Sequence, residues 1–334
     1  MLHIVNSNTD PCFNLALEEY FLKQSPVPDD LVILWQNRPT VVIGRNQNAD
    51  VEINAPFIAD SNIQVVRRLS GGGAVYHDLG NLNFTFITNL AGIGHNNFSH
   101  FTLPIIAALA ELGVKSEFTG RNDLTIDGQK FSGNAQYIHR DRLLHHGTLL
   151  FDTDMAILAQ ALSGSDAKHS KPAVASVRSK VTTIRRHLPP TIMLAEFEAA
   201  LLKEIFASAA ESYRCYELST ADRQAIETLA EKRYRDPEWT YGKLPLYNHN
   251  TKKTFAGGSV QVLFNVQNNT LSQCKICGDF FATGDMEELT GNLLGAPYQS
   301  DFIAKIVDDW LTVHPIHDIS PAEVLSCFFP NSYS

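Results

Sequence analysis

Apolar residues in this chain come in short runs, and this limits the folds that it can adopt. Leu31 to Trp35 and Thr40 to Gly44 each have the length of a buried central strand. Leu82, Phe84 and Phe86 alternate with polar residues, which is typical of another strand. Helical patterns fall between the strands without regular alternation. The sequence therefore predicts an α+β fold with mixed sheets rather than a doubly wound parallel sheet.

The first helix is predicted to begin at Pro11, with Asp10 as its N-cap, because the first helical N–H has no partner within the helix. Residues at helical spacing form its buried face, namely Phe13, Ala16, Leu17, Tyr20 and Phe21. Two neighbouring carboxylates in this helix, Glu18 and Glu19, are expected on its solvated face rather than in a catalytic role.

The length of 334 residues predicts about two domains. Hydrophobic residues make up 44% of the chain and charged residues 19%, a composition that argues against a disordered protein. No apolar stretch approaches the roughly 18 residues that a membrane-spanning helix needs, and no signal-peptide pattern follows Met1. We therefore expect a cytoplasmic protein without a membrane segment.

Acidic residues outnumber basic ones by 36 to 27, which gives a formal net charge of −9. A surface of this sign repels phosphate, which argues against general nucleic-acid binding. The five cysteines, an odd number, do not suggest a disulfide framework. Cys274 and Cys277 form a single C-x-x-C pair. Because a zinc site needs about four ligands, core or surface thiols are the favoured interpretation.

Three successive glycines, Gly71 to Gly73, follow an apolar strand in the segment from Val65 to Asp78. Without side chains nearby, their backbone N–H groups are open to close approach by a phosphate. Arg68 could neutralise the same anion. The spacing matches neither a Walker loop nor a Rossmann fingerprint. Both a flexible turn and an anion-binding loop are open interpretations of the sequence here.

The dipeptide Asp127-Gly128 between two apolar-bearing arms predicts a hairpin with a two-residue turn. The expected pairing sets Asp123 opposite Ser132 and aligns four polar side chains on one face: Asp123, Thr125, Lys130 and Ser132. One interpretation is a surface hairpin with an exposed ion pair of little energetic weight. The other is an ammonium fixed in a cleft, beside a carboxylate able to hold a metal ion or a ribose hydroxyl.

Two further segments carry polar residues. His145 and His146 are neighbours in a predicted strand, so they point to opposite faces and are interpreted as packed histidines rather than ligands of a shared metal. Residues 168–187 hold six basic residues and no acidic one. This basic stretch is either a solvated loop, or a flap that closes on phosphate or meets an acidic partner.

A second, smaller domain is predicted at the carboxy-terminal end. Residues 235–250 are rich in turn formers and aromatics and form the candidate linker. Residues 260–266 and 271–276 are predicted to pair as a hairpin closed near Asn268-Asn269. A later helix carries apolar residues at helical spacing, namely Ile303, Ile306, Val307, Trp310 and Leu311. We predict domains at 1–246 and 247–334.

Taken together, these segments resemble the lipoate–protein ligase A family of the lipoyl and biotin ligase superfamily. The matching segments are Asp10 to Ala16, Thr40 to Asn48, the arginine–triple-glycine segment, Gly120 to Asp123, Lys130 to Ala135, His145 to Leu150, Ser176 to Thr182, Glu238 to Gly242 and Gly257-Gly258. The resemblance covers essentially the whole chain, with the segments in the expected order.

The resemblance implies a catalytic core like that of biotin synthetase and class II aminoacyl-tRNA synthetases, with a small α+β accessory domain after it. It also implies ATP-dependent ligation of lipoate, and of octanoate, to a lysine of an acceptor protein. Lipoate and Mg-ATP first give lipoyl adenylate and pyrophosphate, and the lipoyl group then passes to the lysine. ATP, Mg²⁺ and lipoic acid are therefore the expected small molecules.

Site residues follow from the resemblance by position. Lys130 is the implied catalytic residue, which contacts both the lipoyl carbonyl and the nucleotide phosphate. The implied ATP and adenylate contacts are Arg68, Gly73, Ala74, Val75, Tyr76, Asn122, Asp123 and Lys130. The implied lipoate contacts are Arg68, Gly72, His77, Lys130 and Gly133. Asp123 is in addition the candidate Mg²⁺ ligand.

Three other functions are weighed against this one. A lipoyl or octanoyl transferase that forms a cysteine thioester needs its nucleophile in the core segments, yet no cysteine occurs between Cys12 and Cys215. A biotin ligase has a different glycine-rich loop. A non-catalytic protein that binds lipoate or lipoylated domains is disfavoured by the joint presence of Lys130, Arg68 and Asp123.

The resemblance also implies partners. These are the lipoyl domains of 2-oxoacid dehydrogenase complexes and the H protein of glycine cleavage, with neither nucleic acid nor membrane involved, and we expect a monomer. Acceptor lysines in such domains lie among acidic residues, so the basic stretch is a candidate docking surface.

Charge reversal in the basic stretch tests that role. We expect Arg178→Glu with Lys180→Glu to weaken lipoyl transfer to an acceptor domain more than lipoate adenylation, because only transfer needs the acidic partner. Rates of pyrophosphate exchange and of acceptor lipoylation measure the two steps separately. An equal loss in both steps would indicate contact with the nucleotide instead.

Overall fold

The computed structural model describes residues 1–24, 27–91, 93–94, 97–119, 122–163, 181–209, 211–242 and 247–330. The chain divides into two units. The first unit comprises Met1–Val42, Asp50–Arg67 and Val75–Thr240, and the second comprises Ile43–Ala49, Arg68–Ala74 and Tyr241–Ser334. Two short segments of the amino-terminal half, including the triple glycine, thus belong to the second unit by their contacts.

The strands up to residue 217 are β1 Leu2–Val5, β2 Leu31–Trp35, β3 Thr40–Ile43, β4 Gln64–Arg67, β5 Val75–His77, β6 Asn81–Asn89, β7 Glu117–Phe118, β8 Asp123–Ile126, β9 Gln129–His139, β10 Arg142–Leu150 and β11 Cys215–Glu217. The helices up to residue 241 are α1 Pro11–Gln24, α2 Ala49–Glu52, α3 Ala55–Asp60, α4 Phe98–Glu111, α5 Met155–Ala161, α6 Leu194–Ser208, α7 Thr220–Leu229 and α8 Pro237–Tyr241, with a 3₁₀ turn at Ile184–His187 and a π turn at Ala230–Tyr234.

An eight-stranded sheet in the order β11-β1-β2-β6-β10-β9-β8-β7 is the frame of the first unit. Strand β1 runs parallel to β11 and β2. All other neighbouring strands in this sheet, which are β2-β6, β6-β10, β10-β9, β9-β8 and β8-β7, are antiparallel. A second sheet has the order β4-β3-β5. The mixed sheets expected from the irregular order of strands and helices are thereby confirmed.

The main core covers one face of this large sheet. Phe84 and Phe86 of β6 point to this face and pack with Phe101 of α4, while Thr85 between them points to the opposite face. Helix α6 packs against α4 and contributes Phe197, which is fully buried. The predicted alternation along β6 therefore has its expected cause, since every second residue enters the core.

Helix α1 begins at Pro11 as predicted, and the Cys12 backbone N–H donates to Asp10 Oδ1 at 3.2 Å. The prediction that Glu18 and Glu19 face solvent is wrong, because each is only 3% exposed. The helix is buried on nearly all sides, since the sheet and α7 cover it. Its two carboxylates are therefore held by partners inside the unit.

These partners satisfy both carboxylates. Glu18 accepts hydrogen bonds from the Thr85 hydroxyl at 2.5 Å and from His146 Nδ1 at 2.9 Å. Glu19 forms ion pairs with Lys23 and with a more distant arginine in the chain, Arg233. A buried charge needs such partners to avoid a large desolvation penalty.

The second unit contains a three-stranded antiparallel sheet of β12 His249–Phe255, β13 Gly258–Gln267 and β14 Thr270–Asp279. Three helices follow, α9 Met286–Leu293, α10 Ser300–Val313 and α11 Pro321–Phe328. The predicted hairpin is confirmed: Asn268 and Asn269 have φ values of 49° and 60°, as a two-residue turn between twisted strands requires. Helix α10 buries Ile303, Val307, Trp310 and Leu311 as expected, whereas Ile306 is only half-buried.

The candidate linker at 235–250 is only partly correct. Residues 237–241 form α8, and the Arg67 guanidinium donates to the backbone oxygens of Trp239 and Thr240 at 3.0 Å each. This part is therefore held by the first unit. Strand β12 begins at His249, within the same predicted segment.

Some sequence expectations fall on residues outside the described ranges. Gly120 and Arg121 are among them, as are residues 168–180 of the basic stretch. Within the described ranges, no helix combines the length and the apolar character that a membrane span requires.

The core face of β6 gives a stability test. We expect Phe84→Ala to lower the free energy of unfolding by about 3–5 kcal/mol, because a buried ring is replaced by a cavity. Leu103→Ala on α4 is the matched control, since its side chain is 60% exposed and its loss should change stability by less than about 0.5 kcal/mol. Chemical denaturation measures both values, and comparable losses would contradict the assigned packing.

Candidate active site

The hairpin formed by β8 and β9 carries the central candidate residue. Asp127 and Gly128 have φ values of 50° and 75°, which confirms the predicted two-residue turn. Ile126 pairs with Gln129, and Thr125 pairs with Lys130, as the turn requires. Lys130 is therefore held in register by the turn two residues away.

Beyond this point a β-bulge changes the register. Leu124 pairs with Ser132 and Asp123 pairs with Gly133, so the predicted opposition of Asp123 and Ser132 is wrong. The extra residue is Phe131, whose fully buried side chain belongs to the main core. A bulge shifts the alternation of side chains by one residue. Ser132 therefore pairs with a core residue, while Gly133 joins Lys130 on the other face.

Three predicted site residues meet on that face. Lys130 Nζ lies 2.7 Å from Asp123 Oδ1. A Cβ atom added at Gly133 would lie 3.1 Å from the same Nζ and 3.8 Å from Asp123 Oδ1. The Lys130 side chain is 41% exposed, so its ammonium is accessible to a ligand while Asp123 holds it in place.

Asn122 is held from behind by Asn134 of β9. The Asn134 side chain donates to the Asn122 backbone oxygen at 2.8 Å, and the Asn122 side chain donates to the Asn134 backbone oxygen at 3.0 Å. His145 Nε2 donates to Asn134 Oδ1 at 3.3 Å, and the Gln136 amide donates to His145 Nδ1 at 3.0 Å. This chain of hydrogen bonds requires neutral His145, because a protonated ring would present a second donor to the Gln136 amide.

The two neighbouring histidines point to opposite faces, as predicted. His145 stacks on Phe101 at 4.5 Å in the main core, and His146 binds Glu18 on the other face. Burial lowers the pKa of His145 well below its ordinary value, and the neighbouring His146 and His100 lower it further. Both are packed histidines, and no shared metal site arises from them.

Strand β5 carries the next predicted residues. Tyr76 is buried, and this burial, together with the nearby Asp78 carboxylate, raises its pKa to about 12. His77 is also buried, and its Nδ1 lies 3.1 Å from the Asn37 side-chain amide. Val75 is half-buried and pairs with Val42.

Within the second unit, Arg68 shapes the glycine segment. Its guanidinium is 6% exposed and donates to the Ser70 hydroxyl at 3.0 Å and to the backbone oxygens of Gly71 and Gly73 at 2.6 and 2.8 Å. The sequence left open whether this charge neutralises a bound anion. The structure shows it holding its own loop, with the positive charge directly beneath the glycines. Ala74 ends the segment and is half-buried.

Close packing within the second unit explains why these positions are glycines. A Cβ atom on Gly71 would lie 2.2 Å from the Phe280 backbone oxygen, and Gly72 has a φ of +87°. The Gly72 N–H donates to that same oxygen at 3.1 Å. A Cβ atom on Gly73 would lie 3.2 Å from Asp279 Oδ2. The segment is thus a packed, shaped loop, and a freely flexible turn is not what the structure shows.

Two features of this region were not found from the sequence. Residues 279–281 support the glycine segment, and nothing in their order indicates it. The Glu18–Thr85–His146 network was also missed. A signal for it exists, because Leu15 and Leu22 lie three residues before and four after Glu18 and so share its helix face.

Asp123 is the candidate Mg²⁺ ligand. Its carboxylate is already paired with the Lys130 ammonium, and the described part of the chain contains no cluster of three or more His, Cys, Asp or Glu side chains able to hold a metal. Mg²⁺ in proteins is commonly coordinated by one or two carboxylates together with substrate phosphates. A magnesium ion at this site would therefore be held chiefly by the phosphates of a bound nucleotide.

The cysteines do not supply a nucleophile in the core segments. All five are free, and Cys12 is fully buried. Burial, and next the Asp10 carboxylate, raises the pKa of the Cys12 thiol to about 11, so it stays protonated at neutral pH. Cys274 and Cys277 likewise form no disulfide bond. A thioester transferase is not favoured.

Comparison with known proteins identifies the class. Residues 10–206 match the model of the lipoyl protein ligase A/B catalytic domain, and residues 244–328 match that of the bacterial lipoate protein ligase C-terminus. These two matches define a ligase with a catalytic domain and a separate carboxy-terminal domain.

Relatives over the full length narrow this class further. Lipoate-protein ligase LplJ of Bacillus subtilis is 39% identical over 331 residues, which cover 98% of this chain and 100% of the relative. Lipoate–protein ligase 1 of Staphylococcus aureus is 40% identical over 326 residues, which cover 97% of this chain and 99% of the relative. This chain belongs to the lipoate–protein ligase family.

Solved structures of lipoate ligases share the fold of this chain. LipL1 of P. falciparum, crystallised in complex with lipoate, has a TM-score of 0.77 and 26% identity, over 92% of this chain and 93% of its own. A lipoate-protein ligase A bound with ATP shares the fold, with a TM-score of 0.63 at 23% identity, over 73% of this chain and 98% of its own.

The neutral state of His145 predicts an acid-sensitive fold. The folded protein resists protonation of His145, whereas the unfolded chain takes up this proton below about pH 6.5. Stability should therefore fall as the pH drops from 7 to 5, by at most about 1.4 kcal/mol per pH unit from this group. His145→Gln keeps an acceptor and a donor, and should make the slope shallower in denaturation curves. Parallel slopes for both proteins would contradict the assignment.

Proposed function

We propose that this chain joins lipoate to a lysine of an acceptor protein in two steps, with Lys130 as its catalytic residue. In the first step, a lipoate carboxylate oxygen attacks the α-phosphorus of ATP, and the bond to pyrophosphate breaks. In the second, the acceptor amine attacks the carbonyl carbon of lipoyl adenylate, AMP leaves, and the nitrogen loses a proton. Octanoate, which has the same carboxylate on an apolar chain, is a proposed second substrate.

The fixed ammonium of Lys130 is the observation that carries this proposal. Two anions must meet in the first step, and their negative charge must be neutralised as the new bond forms. A cation that is aimed before the substrates arrive does this without reorganisation at the moment of reaction. Lys130 meets the condition, since it is held by a paired strand and by the Asp123 carboxylate.

Further contacts are assigned on the family relationship. For the nucleotide we propose Arg68, Gly73, Ala74, Val75, Tyr76, Asn122 and Asp123. For lipoate we propose Arg68, Gly72 and His77. The burial of the Tyr76 side chain favours a backbone contribution at that position. Mg²⁺ bound to the ATP phosphates would supply positive charge in addition to that of Lys130.

Lipoyl domains of 2-oxoacid dehydrogenase complexes and the glycine cleavage H protein are the proposed acceptors. Support comes from a bi-partite lipoate protein ligase of Thermoplasma acidophilum, described with its E2 lipoyl domain, which shares the fold at a TM-score of 0.67. We further propose a monomer in the cytoplasm. Its five free cysteines suit a reducing compartment.

Loss of the ammonium tests the proposed function. We expect Lys130→Ala to slow lipoate-dependent exchange of pyrophosphate into ATP by at least about 100-fold, because the developing charge loses its main protein cation. The matched control is Lys203→Ala, which removes an exposed lysine paired with Glu111. Folding of both variants is checked by thermal denaturation.

Substrate choice is tested in the same assay. Lipoate and octanoate should support exchange in the parent protein, and biotin should not. Near-normal exchange by Lys130→Ala, or exchange supported by biotin alone, would overturn the proposal.

A further inference from the structure

The end of the Lys130 side chain lies over Gly133, which is three residues further along the same strand. Residues three apart on a regular strand point to opposite faces, yet a Cβ atom on Gly133 would lie 3.1 Å from Lys130 Nζ and 3.2 Å from its Cε. The bulge at Phe131 causes this, because it adds one residue between them. The end of the lysine side chain therefore lies directly over the bare Cα of Gly133.

The backbone of Lys130 is fixed on both sides. It pairs with Thr125 of β8, and its backbone oxygen accepts from the Thr182 N–H at 2.9 Å. The remaining freedom is in the four-carbon side chain, which is 41% exposed. Such a chain samples many rotamers unless its end is held.

Two neighbours restrict this freedom. Asp123 Oδ1 lies 2.7 Å from the ammonium and sets its direction. Gly133 sets its height above the strand, since a methyl group there would come closer to Cε and Nζ than ordinary van der Waals contact allows. We infer that Asp123 and Gly133 are positioning residues, which hold the Lys130 ammonium ready for adenylation. This inference rests on the proposed function of Lys130.

The inference gives both residues tasks that act through Lys130. Gly133 then serves by having no side chain, not by touching lipoate, and Asp123 serves as a counterion, not as a magnesium ligand. These alternatives differ in what they predict when Lys130 is removed.

The first test is Gly133→Ala. The added methyl group comes closer than ordinary van der Waals contact only to the flexible end of Lys130, and its next neighbour, Asp123 Oδ1, lies 3.8 Å away. The fold should therefore persist, with a melting temperature within about 2 °C of the parent. The ammonium must move by several tenths of an ångström. We expect kcat for adenylation to fall by about 10- to 100-fold, because small misplacements of a catalytic group have large effects. The KM values for lipoate and ATP should change by less than about threefold, as for a group that acts in the transition state.

Gly291→Ala is the matched control. Gly291 lies in α9, and a Cβ atom there would have no neighbour within 4 Å. We expect parent activity from this variant. If Gly133→Ala had the same kcat for adenylation as the parent protein, the positioning role of Gly133 would be overturned.

The second test compares Lys130→Ala with the double variant Lys130→Ala, Gly133→Ala. Titration calorimetry with lipoate measures binding in both, independently of turnover. If Gly133 acts through the lysine, the two dissociation constants agree within about twofold. Weaker binding by the double variant would show that position 133 contacts lipoate directly, and would overturn the inference.

The third test replaces Asp123. Asp123→Asn keeps an oxygen that can accept from the ammonium, so it should retain clearly more kcat than Asp123→Ala. The magnesium concentration for half-maximal exchange should stay unchanged in both variants. A raised magnesium requirement would identify Asp123 as a metal ligand and overturn its positioning role.

The outcomes separate this inference from the proposed function. Activity retained by Lys130→Ala would remove the proposed function itself. Activity lost in Lys130→Ala but retained at parent level in Gly133→Ala and Asp123→Ala would remove only the positioning inference.

Discussion

The burial of Phe131 is the constraint on which the candidate site depends. Its ring must enter the core, and the strand bulges to allow this without breaking its pairing with β8. The bulge turns Gly133 to the face of Lys130 and brings Asp123 beside the ammonium. A hydrophobic requirement on one face of the sheet thus determines the electrostatics on the other.

Two hydrogen-bond networks hold buried polar groups of the first unit, and each joins separate elements of the chain. Glu18 joins α1 to two strands through Thr85 and His146, and His145 supports Asn134 from the core side. Such networks are costly when broken and define a single arrangement when complete. In the second unit, Arg68 plays a comparable part, because its guanidinium fills the loop that the glycines form. The guanidinium and the loop thus hold each other in place.

Local rules predicted the turns and most of the elements. Asp127-Gly128 and Asn268-Asn269 form the expected turns because only a few residue types tolerate positive φ there. The predicted register beyond the first turn was wrong. The prediction counted residues outward from the turn and so assumed that neither strand contains an extra residue. The β-bulge depends on where the Phe131 ring can be buried, which the local sequence does not show. Glu18 and Glu19 were placed in solvent for a similar reason. Their charge is a local property, whereas the helices and strands that surround α1 come from remote segments.

By itself the sequence determined the α+β class, the positions of the two hairpin turns and of several strands and, through its motifs, the family of ligases. These follow from periodicity, from backbone preferences and from short ordered segments, all of which are local along the chain. Only the tertiary structure decided which groups meet: Lys130 with Asp123 and Gly133, Glu18 with His146, and the glycines with residues 279–281. Those contacts join residues far apart in sequence, or depend on one inserted residue, and close packing rather than local preference selects them.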